Sequence, residues 1–346
     1  MNSRTLLLAL LLLPLAGTAQ SYWGVTLNGG VMLANDMAHN ALVAPYADID
    51  AAWWHPVGGS HYWMQRHRMP RFGLQASYAH IVNGIAGDRL GLMAMLGGSL
   101  GRRLDYAAGI GLSAYTHPRS ITADTANIYI GSLINCLIEL RLEYALSDHW
   151  ALTASAVHTS NGLLYRPNQG LNFLQMGVQW RSTSRVAPPQ RRSFSPLSVH
   201  EVGFTLSPGF AMSHNISQEG YYFCYDLSLN YLYRIDSILA VGGTIDVWYN
   251  FSHPQQYIWY DDPYSLPFYI GAMAVVESSW GPLSIRAGIG PELLRSTRVK
   301  IPFYERVGAY YNFGRHYTGI ALHAHAGQID FIEWSYGYRI PVSSNR

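Results

Sequence analysis

From Tyr22 to about Ser182 the chain is a succession of short segments in which apolar and polar residues alternate, each bounded by turn residues. The clearest runs from Ile134 to Tyr144. There Ile134, Cys136, Ile138, Leu140, Leu142 and Tyr144 form one apolar face, while Asn135, Glu139, Arg141 and Glu143 share the other with Leu137. Successive strand side chains point to opposite faces, so the period of two predicts a β-strand with one wet and one dry side. A carboxylate, a guanidinium and a second carboxylate at alternate positions would be ruinous facing lipid, but inside a small barrel they can pair. The charged face is therefore predicted to be the lumen. About eight such segments precede residue 183, beginning near Tyr22, Asp48, Phe72, Leu90, Tyr106, Tyr129, Trp150 and Leu171. Eight is the smallest usual barrel, its interior filled by side chains.

Between Ser182 and Ser198 the alternation stops, and Arg185, Pro188, Pro189, Arg191, Arg192 and Pro196 rule out a central strand there. About eight further segments follow and echo the first set. Gly24-Val25-Thr26-Leu27 resembles Gly203-Phe204-Thr205-Leu206, and Ala108-Gly109-Ile110-Gly111 recurs as Ala287-Gly288-Ile289-Gly290. Both pairs share a displacement of 179 residues (203 minus 24, and 287 minus 108), which points to an internal duplication. The expected organisation is a signal peptide over 1–19, a barrel over 20–182, a linker over 183–198 and a second set of strands over 199–346. The pattern is compatible with two eight-stranded barrels or with one of about sixteen strands. A single chain-long assembly is the preferred expectation, because a second small barrel would need its own reason to exist.

Composition narrows the class. Charged residues are 13% of the chain, with 25 Tyr and 10 Trp, against about 25% charged in ordinary soluble domains. Low charge and many interfacial aromatics fit a transmembrane antiparallel β-barrel. Arg4 and Thr5 lead into an apolar run from Leu6 to Leu15 and the small residues Gly17-Thr18-Ala19, the pattern of a secretory signal peptide cleaved near Ala19. Later stretches fall short of the roughly 20 apolar residues of a transmembrane helix, which argues against an α-helical membrane protein. These features place the mature chain in an outer membrane. A net charge of +2 with scattered Arg does not suggest nucleic acid, and Cys136 and Cys224 suggest neither a disulfide framework nor a zinc site.

Candidate chemistry centres on His158-Thr159-Ser160-Asn161-Gly162, followed by Pro167-Asn168-Gln169-Gly170-Leu171-Asn172-Phe173. His and Ser two apart on a strand project from one face, so the imidazole can take the serine proton if a third group holds its ring. Parity puts His158 and Ser160 with Trp150, Leu152, Ala154 and Ala156, the lipid face. Asn172 shares parity with Leu174, Met176, Val178 and Trp180. In a hairpin symmetric about Tyr165, it lies directly across from His158. Polar groups facing lipid are costly, and a lipid substrate supplies a reason for them. With a periplasmic N-terminus, the seventh strand ends at the external side near residue 161.

At these residues the chain resembles the PagL family of outer-membrane lipid A deacylases, related chains being labelled acyloxyacyl hydrolases. The resemblance covers roughly residues 21–182 and is strongest from Asn127-Ile128-Tyr129-Ile130-Gly131-Ser132 through Phe173. It implies an eight-stranded barrel with a serine esterase site on its outer wall, acting on lipid A of lipopolysaccharide with no metal or cofactor. By that resemblance His158 is the base and Ser160 the nucleophile, and Asn161 and Gly162 help bind the oxyanion. The best-known members carry a glutamate as third member, where this chain has Asn172. The competing reading is a non-enzymatic barrel, a channel or structural protein, favoured if the strands close into one wide, wet pore.

Three other features have plainer readings. His323-Ala324-His325-Ala326-Gly327 with Asp330-Phe331 looks like a worn copy of the motif without its serine. Two histidines without a clear third ligand are weak evidence for metal, so they read as interfacial or lumen histidines. Asp261 and Asp262 read as a solvated loop rather than an acid pair. Arg66, His67, Arg68 and Arg71 read as charge at an inner turn, as do Arg102 and Arg103 at another.

Overall fold

A computed structural model of the chain describes residues 21–34, 44–57, 61–68, 70–82, 84, 86–123, 127, 129–161, 170–185, 199–212, 220–252, 268–294, 302–325 and 328–344. Gly162, the Asp261–Asp262 pair, the signal segment and most of the linker lie outside them.

The first eight strands are β1 (Tyr22–Ala34), β2 (Ala44–Pro56), β3 (Arg71–Ile81), β4 (Arg89–Ser99), β5 (Leu104–Tyr115), β6 (Ile134–Ala145), β7 (Trp150–Ser160) and β8 (Leu171–Arg181). Each is antiparallel to its sequence neighbour, and β1 pairs with β8 along its length, closing the sheet. The second eight are β9 (Val199–Met212), β10 (Tyr221–Arg234), β11 (Leu239–Asn250), β12 (Phe268–Trp280), β13 (Leu283–Leu294), β14 (Phe303–Phe313), β15 (His316–His325) and β16 (Gln328–Ser344). They close through β16 against β9. The molecule thus has two eight-stranded barrels, not the single chain-long barrel preferred on sequence grounds. The two segments that repeat at 179 residues hold equal ranks, first and fifth, in their barrels.

Ion pairs across the interior explain the small closure. Arg141 on β6 reaches Asp50 on β2, the opposite wall, at 2.8 Å, and also binds Glu139 at 2.7 Å. Arg71 on β3 reaches Glu143 on β6 at 2.6 Å. In the second barrel Arg306 on β14 binds Asp246 on β11 at 2.7 Å and Asp226 on β10 at 3.3 Å. Such contacts need a lumen narrow enough for side chains to meet in its middle. Glu139, Arg141 and Glu143 are buried in the lumen, as their parity predicts, while Ile134, Leu140, Leu142 and Tyr144 are exposed on the outer wall.

One strand start departs from the sequence pattern. β6 begins at Ile134, not near Tyr129, because Asn127 turns the chain back first. Its buried side-chain oxygen accepts the backbone N–H groups of Tyr129 and Ile130, and its amide donates to the carbonyl of His117. This is an Asx-type turn, which competes with strand pairing.

Short connections lie at one end of the barrels and mostly longer ones at the other, the inward and outward ends of an outer-membrane barrel. An exception at the short-turn end is the β2–β3 connection, which carries helical turn α1 (Tyr62–Arg66). The cysteines are free thiols in different barrels.

Candidate active site on the outer wall of the first barrel

The β7–β8 ladder sets the site. His158 stands directly opposite Asn172, and Ser160 is the last residue of β7, at the outward end. The same face continues toward the membrane interior with the exposed residues Ala156, Ala154 and Leu152 on β7 and Leu174, Met176 and Val178 on β8. Thr159, between the histidine and the serine, points into the lumen. Its hydroxyl donates to the carbonyl of Cys136 at 3.0 Å and lies 2.9 Å from Ser113 Oγ, which pins the end of β7 to its neighbours.

His158 Nδ1 lies 2.8 Å from Asn172 Oδ1, and His158 Nε2 lies 3.2 Å from Ser160 Oγ. An amide oxygen can only accept, so Nδ1 carries the proton. Nε2 then presents its lone pair to the serine hydroxyl. The ring is thus held in one tautomer by a neutral group, with its basic nitrogen on the nucleophile candidate.

Burial separates the three. Ser160 is 6% exposed and Asn161 is 2% exposed, whereas His158 and Asn172 are half-buried. Gly170 packs beside Ser160. Gly170 has φ +71°, and its N–H donates to the carbonyl of Tyr129 at 3.1 Å. A β-carbon there would stand 2.8 Å from the Thr159 carbonyl oxygen, 3.0 Å from Ser160 Cβ and 3.1 Å from His158 Cε1. Only glycine fits both the dihedral and the space.

The structure therefore brings together His158, Ser160 and Asn172, with Asn161 next in the chain. Gly170 has no assigned role in the sequence pattern, although a glycine just before a strand is a signal for a positive φ. The Asn127 turn leaves a weaker trace, a polar residue at the head of an otherwise strand-like run. His323 and His325 do not form a second copy of this site. Their β15 positions face the lumen of the second barrel, the opposite side of the wall from His158 and Ser160.

Beside the site the outer wall carries a shallow groove of about 810 Å³ spanning β1 and β5 to β8. Gly29, Ala108, Ala154, Ala156, Leu174 and Met176 are among the residues that line it. Ala156 and Leu174 are the next residues on the same face as His158 and Asn172, one step toward the membrane interior, so the groove runs from the polar cluster into the apolar belt.

Residues 46–181 match a family model described as lipid A 3-O-deacylase (PagL), and residues 199–342 match one described as acyloxyacyl hydrolase, C-terminal domain. No curated protein matches the chain. Among solved structures, it is similar to the outer membrane enzyme PagL at 15% identity and a TM-score of 0.36, over 45% of this chain and 98% of that one. It is similar to the Neisserial surface protein A at 11% identity and a TM-score of 0.29, over 47% and 98%. A porin of Rh. blastica aligns at 9% identity and a TM-score of 0.21, over 92% and 100%.

Proposed function

Since the chain belongs to the PagL family of outer-membrane lipid A deacylases, we propose that it is a serine esterase whose nucleophile is Ser160 and which cleaves the 3-O-linked acyl ester of lipid A. The observation that carries this reading is the hydrogen-bonded row Asn172–His158–Ser160 on a lipid-facing wall.

His158 Nε2 takes the proton of Ser160 as Oγ attacks the acyl carbonyl carbon. The carbonyl oxygen becomes an oxyanion, met by backbone donors at Asn161 and Gly162. The imidazolium returns its proton to the sugar oxygen, the C–O ester bond breaks, and the acyl group stays on Ser160. Water, deprotonated by His158, then attacks the acyl-serine and releases the fatty acid. Asn172 holds the productive tautomer throughout but adds no negative charge to balance the imidazolium.

The position suits a substrate that stays in the bilayer. The polar cluster sits at the outward end of β7, where the sugar headgroup of lipopolysaccharide lies, and the groove below receives the acyl chain. Burial of about 25 cal/mol per Å² of apolar surface favours seating that chain. In this reading residues 1–19 direct export, 20–182 are the catalytic unit, 183–198 are a linker and 199–346 form a unit without the nucleophile.

Ser160→Ala tests the assignment. Mass spectrometry of purified lipopolysaccharide incubated with the unmodified protein is expected to show loss of one acyl chain. The variant, folded by its heat-modifiable gel mobility, is expected to leave the lipid intact. Unchanged release by the variant removes Ser160 from the mechanism.

A further inference from the structure

A second constellation lies in the other barrel, at the outward end of its lumen. His323 and His325 on β15 face inward, and β16 supplies Asp330 by an irregularity of register. His323 pairs with Phe331, yet Ala324 pairs with Ile329, so Asp330 is the extra residue of a β-bulge. Regular alternation would turn residue 330 away from the side that holds buried Phe331. The bulge re-aims it toward the histidines, a common use of bulges beside functional sites.

His323 is fully buried, stacked on Phe331 at 4.4 Å and on Tyr304 at 5.1 Å between ring centroids. Neither of its ring nitrogens has a hydrogen-bond partner, and its Nδ1 stands 3.7 Å from Asp330 Oδ2. His325 turns its Nδ1 onto the same carboxylate oxygen, and its Nε2 lies 2.8 Å from Glu292 Oε1 on β13. The second carboxylate oxygen of Glu292 is buried without a hydrogen bond. One ligand atom from each of His323, His325 and Asp330 falls within 4.8 Å of the others. A protonated His325 between two carboxylates accounts for three of these groups but leaves His323 unsatisfied.

We propose that this cluster is a divalent-metal site of the zinc class, ligated by His323 Nδ1, His325 Nδ1 and Asp330 Oδ2. Two imidazoles and one carboxylate are a donor set that suits a borderline ion such as Zn²⁺. Glu292 accepts the remaining N–H of His325 and so fixes that ring, the outer-shell role a carboxylate takes behind a ligating histidine. The charges close as well: two neutral imidazoles and two carboxylates balance one dication. Three protein ligands leave a coordination position on the side where His325 and Asp330 retain 13% and 17% side-chain exposure, toward the outward mouth. This site is independent of the chemistry assigned to Ser160.

The test uses the full-length, tag-free protein in detergent, stripped with a chelator and dialysed against Zn²⁺. Elemental analysis is expected to give one Zn²⁺ per chain, retained in Ser160→Ala and lost in His323→Ala and in Asp330→Ala. Glu292→Gln is expected to keep the stoichiometry while binding about 10–100-fold more weakly. Co²⁺ added to the unmodified chain is expected to develop visible absorption that Zn²⁺ abolishes, a measurement that does not depend on any variant folding. Absence of bound Zn²⁺ and of the Co²⁺ spectrum overturns the proposal, as does one equivalent that persists in folded His323→Ala and Asp330→Ala.

Discussion

At residue scale, the oxygen that holds His158 belongs to an uncharged amide. In the proposed mechanism Asn172 selects the productive tautomer but leaves the imidazolium without a counter-charge. Asn172→Ala removes the acceptor as well, and kcat for deacylation is expected to fall by roughly 10²–10⁴, the range seen when a catalytic histidine loses its orienting group. Asn172→Glu adds a carboxylate at a half-buried position. It is expected to raise kcat by about tenfold, equivalent to about 1.4 kcal/mol of transition-state stabilisation; an unchanged or lower rate shows that charge at this position does not limit the reaction. Gly170 acts differently. A β-carbon there meets Ser160 Cβ and His158 Cε1 from a backbone at φ +71°. Gly170→Ala is expected to lower kcat at least tenfold while unfolding stability falls by only about 1–2 kcal/mol. Equal rates for the two proteins in a deacylation assay would show that the loop gives way without moving the pair.

At the scale of elements, the strands are held by what they bury as well as by their ladders. Arg141 sits between Asp50 and Glu139 in the lumen. Arg141→Met leaves two carboxylates facing each other without their cation, and urea unfolding in detergent is expected to show a loss of about 3–5 kcal/mol. A loss under 1 kcal/mol would mean that water or another Arg compensates. This same row made β6 legible in the sequence, since alternate charges fit only a lumen. The β7–β8 register was legible too, because a hairpin symmetric about Tyr165 puts 158 opposite 172, and the ladder has that pairing. Other features leave no such trace. Closure of β1 on β8 is a contact between strands about 150 residues apart, made by backbone groups that every residue carries. Asp330 was hidden for a sharper reason. Period-two reasoning assumes regular pairing, and one bulged residue reverses the parity on which the assignment rests.

At the scale of the whole molecule, the two closures argue against a pore. Each lumen is crossed by Arg–carboxylate pairs from opposite walls, so planar-bilayer recordings are expected to show almost no current; steady conductance would mean these pairs part in the membrane. The barrels meet at their short-turn ends. On the first, Arg66 of α1 binds Asp236 in the β10–β11 turn at 3.0 Å. His67, just past α1, stacks on Trp280 at 3.7 Å between centroids, and its Nε2–H donates to the carbonyl of Ser279 at 2.9 Å. Asp236 also accepts the N–H groups of Ile238 and Leu239, so replacing it would disturb its own turn. Arg66→Ala combined with Trp280→Ala removes the ion pair and the aromatic stack, leaving the His67–Ser279 hydrogen bond and that turn intact. With a protease site placed in residues 186–198 and cleaved, the unmodified halves are expected to co-elute on size exclusion in detergent. The double variant is expected to separate, because an aromatic stack worth about 0.5–1.5 kcal/mol and a buried ion pair have both gone. If the halves of the unmodified protein part on cleavage, the covalent connection alone keeps the barrels together. If the double variant stays joined, the ion pair and the stack are dispensable and the association rests on the remaining contacts, the His67–Ser279 hydrogen bond among them.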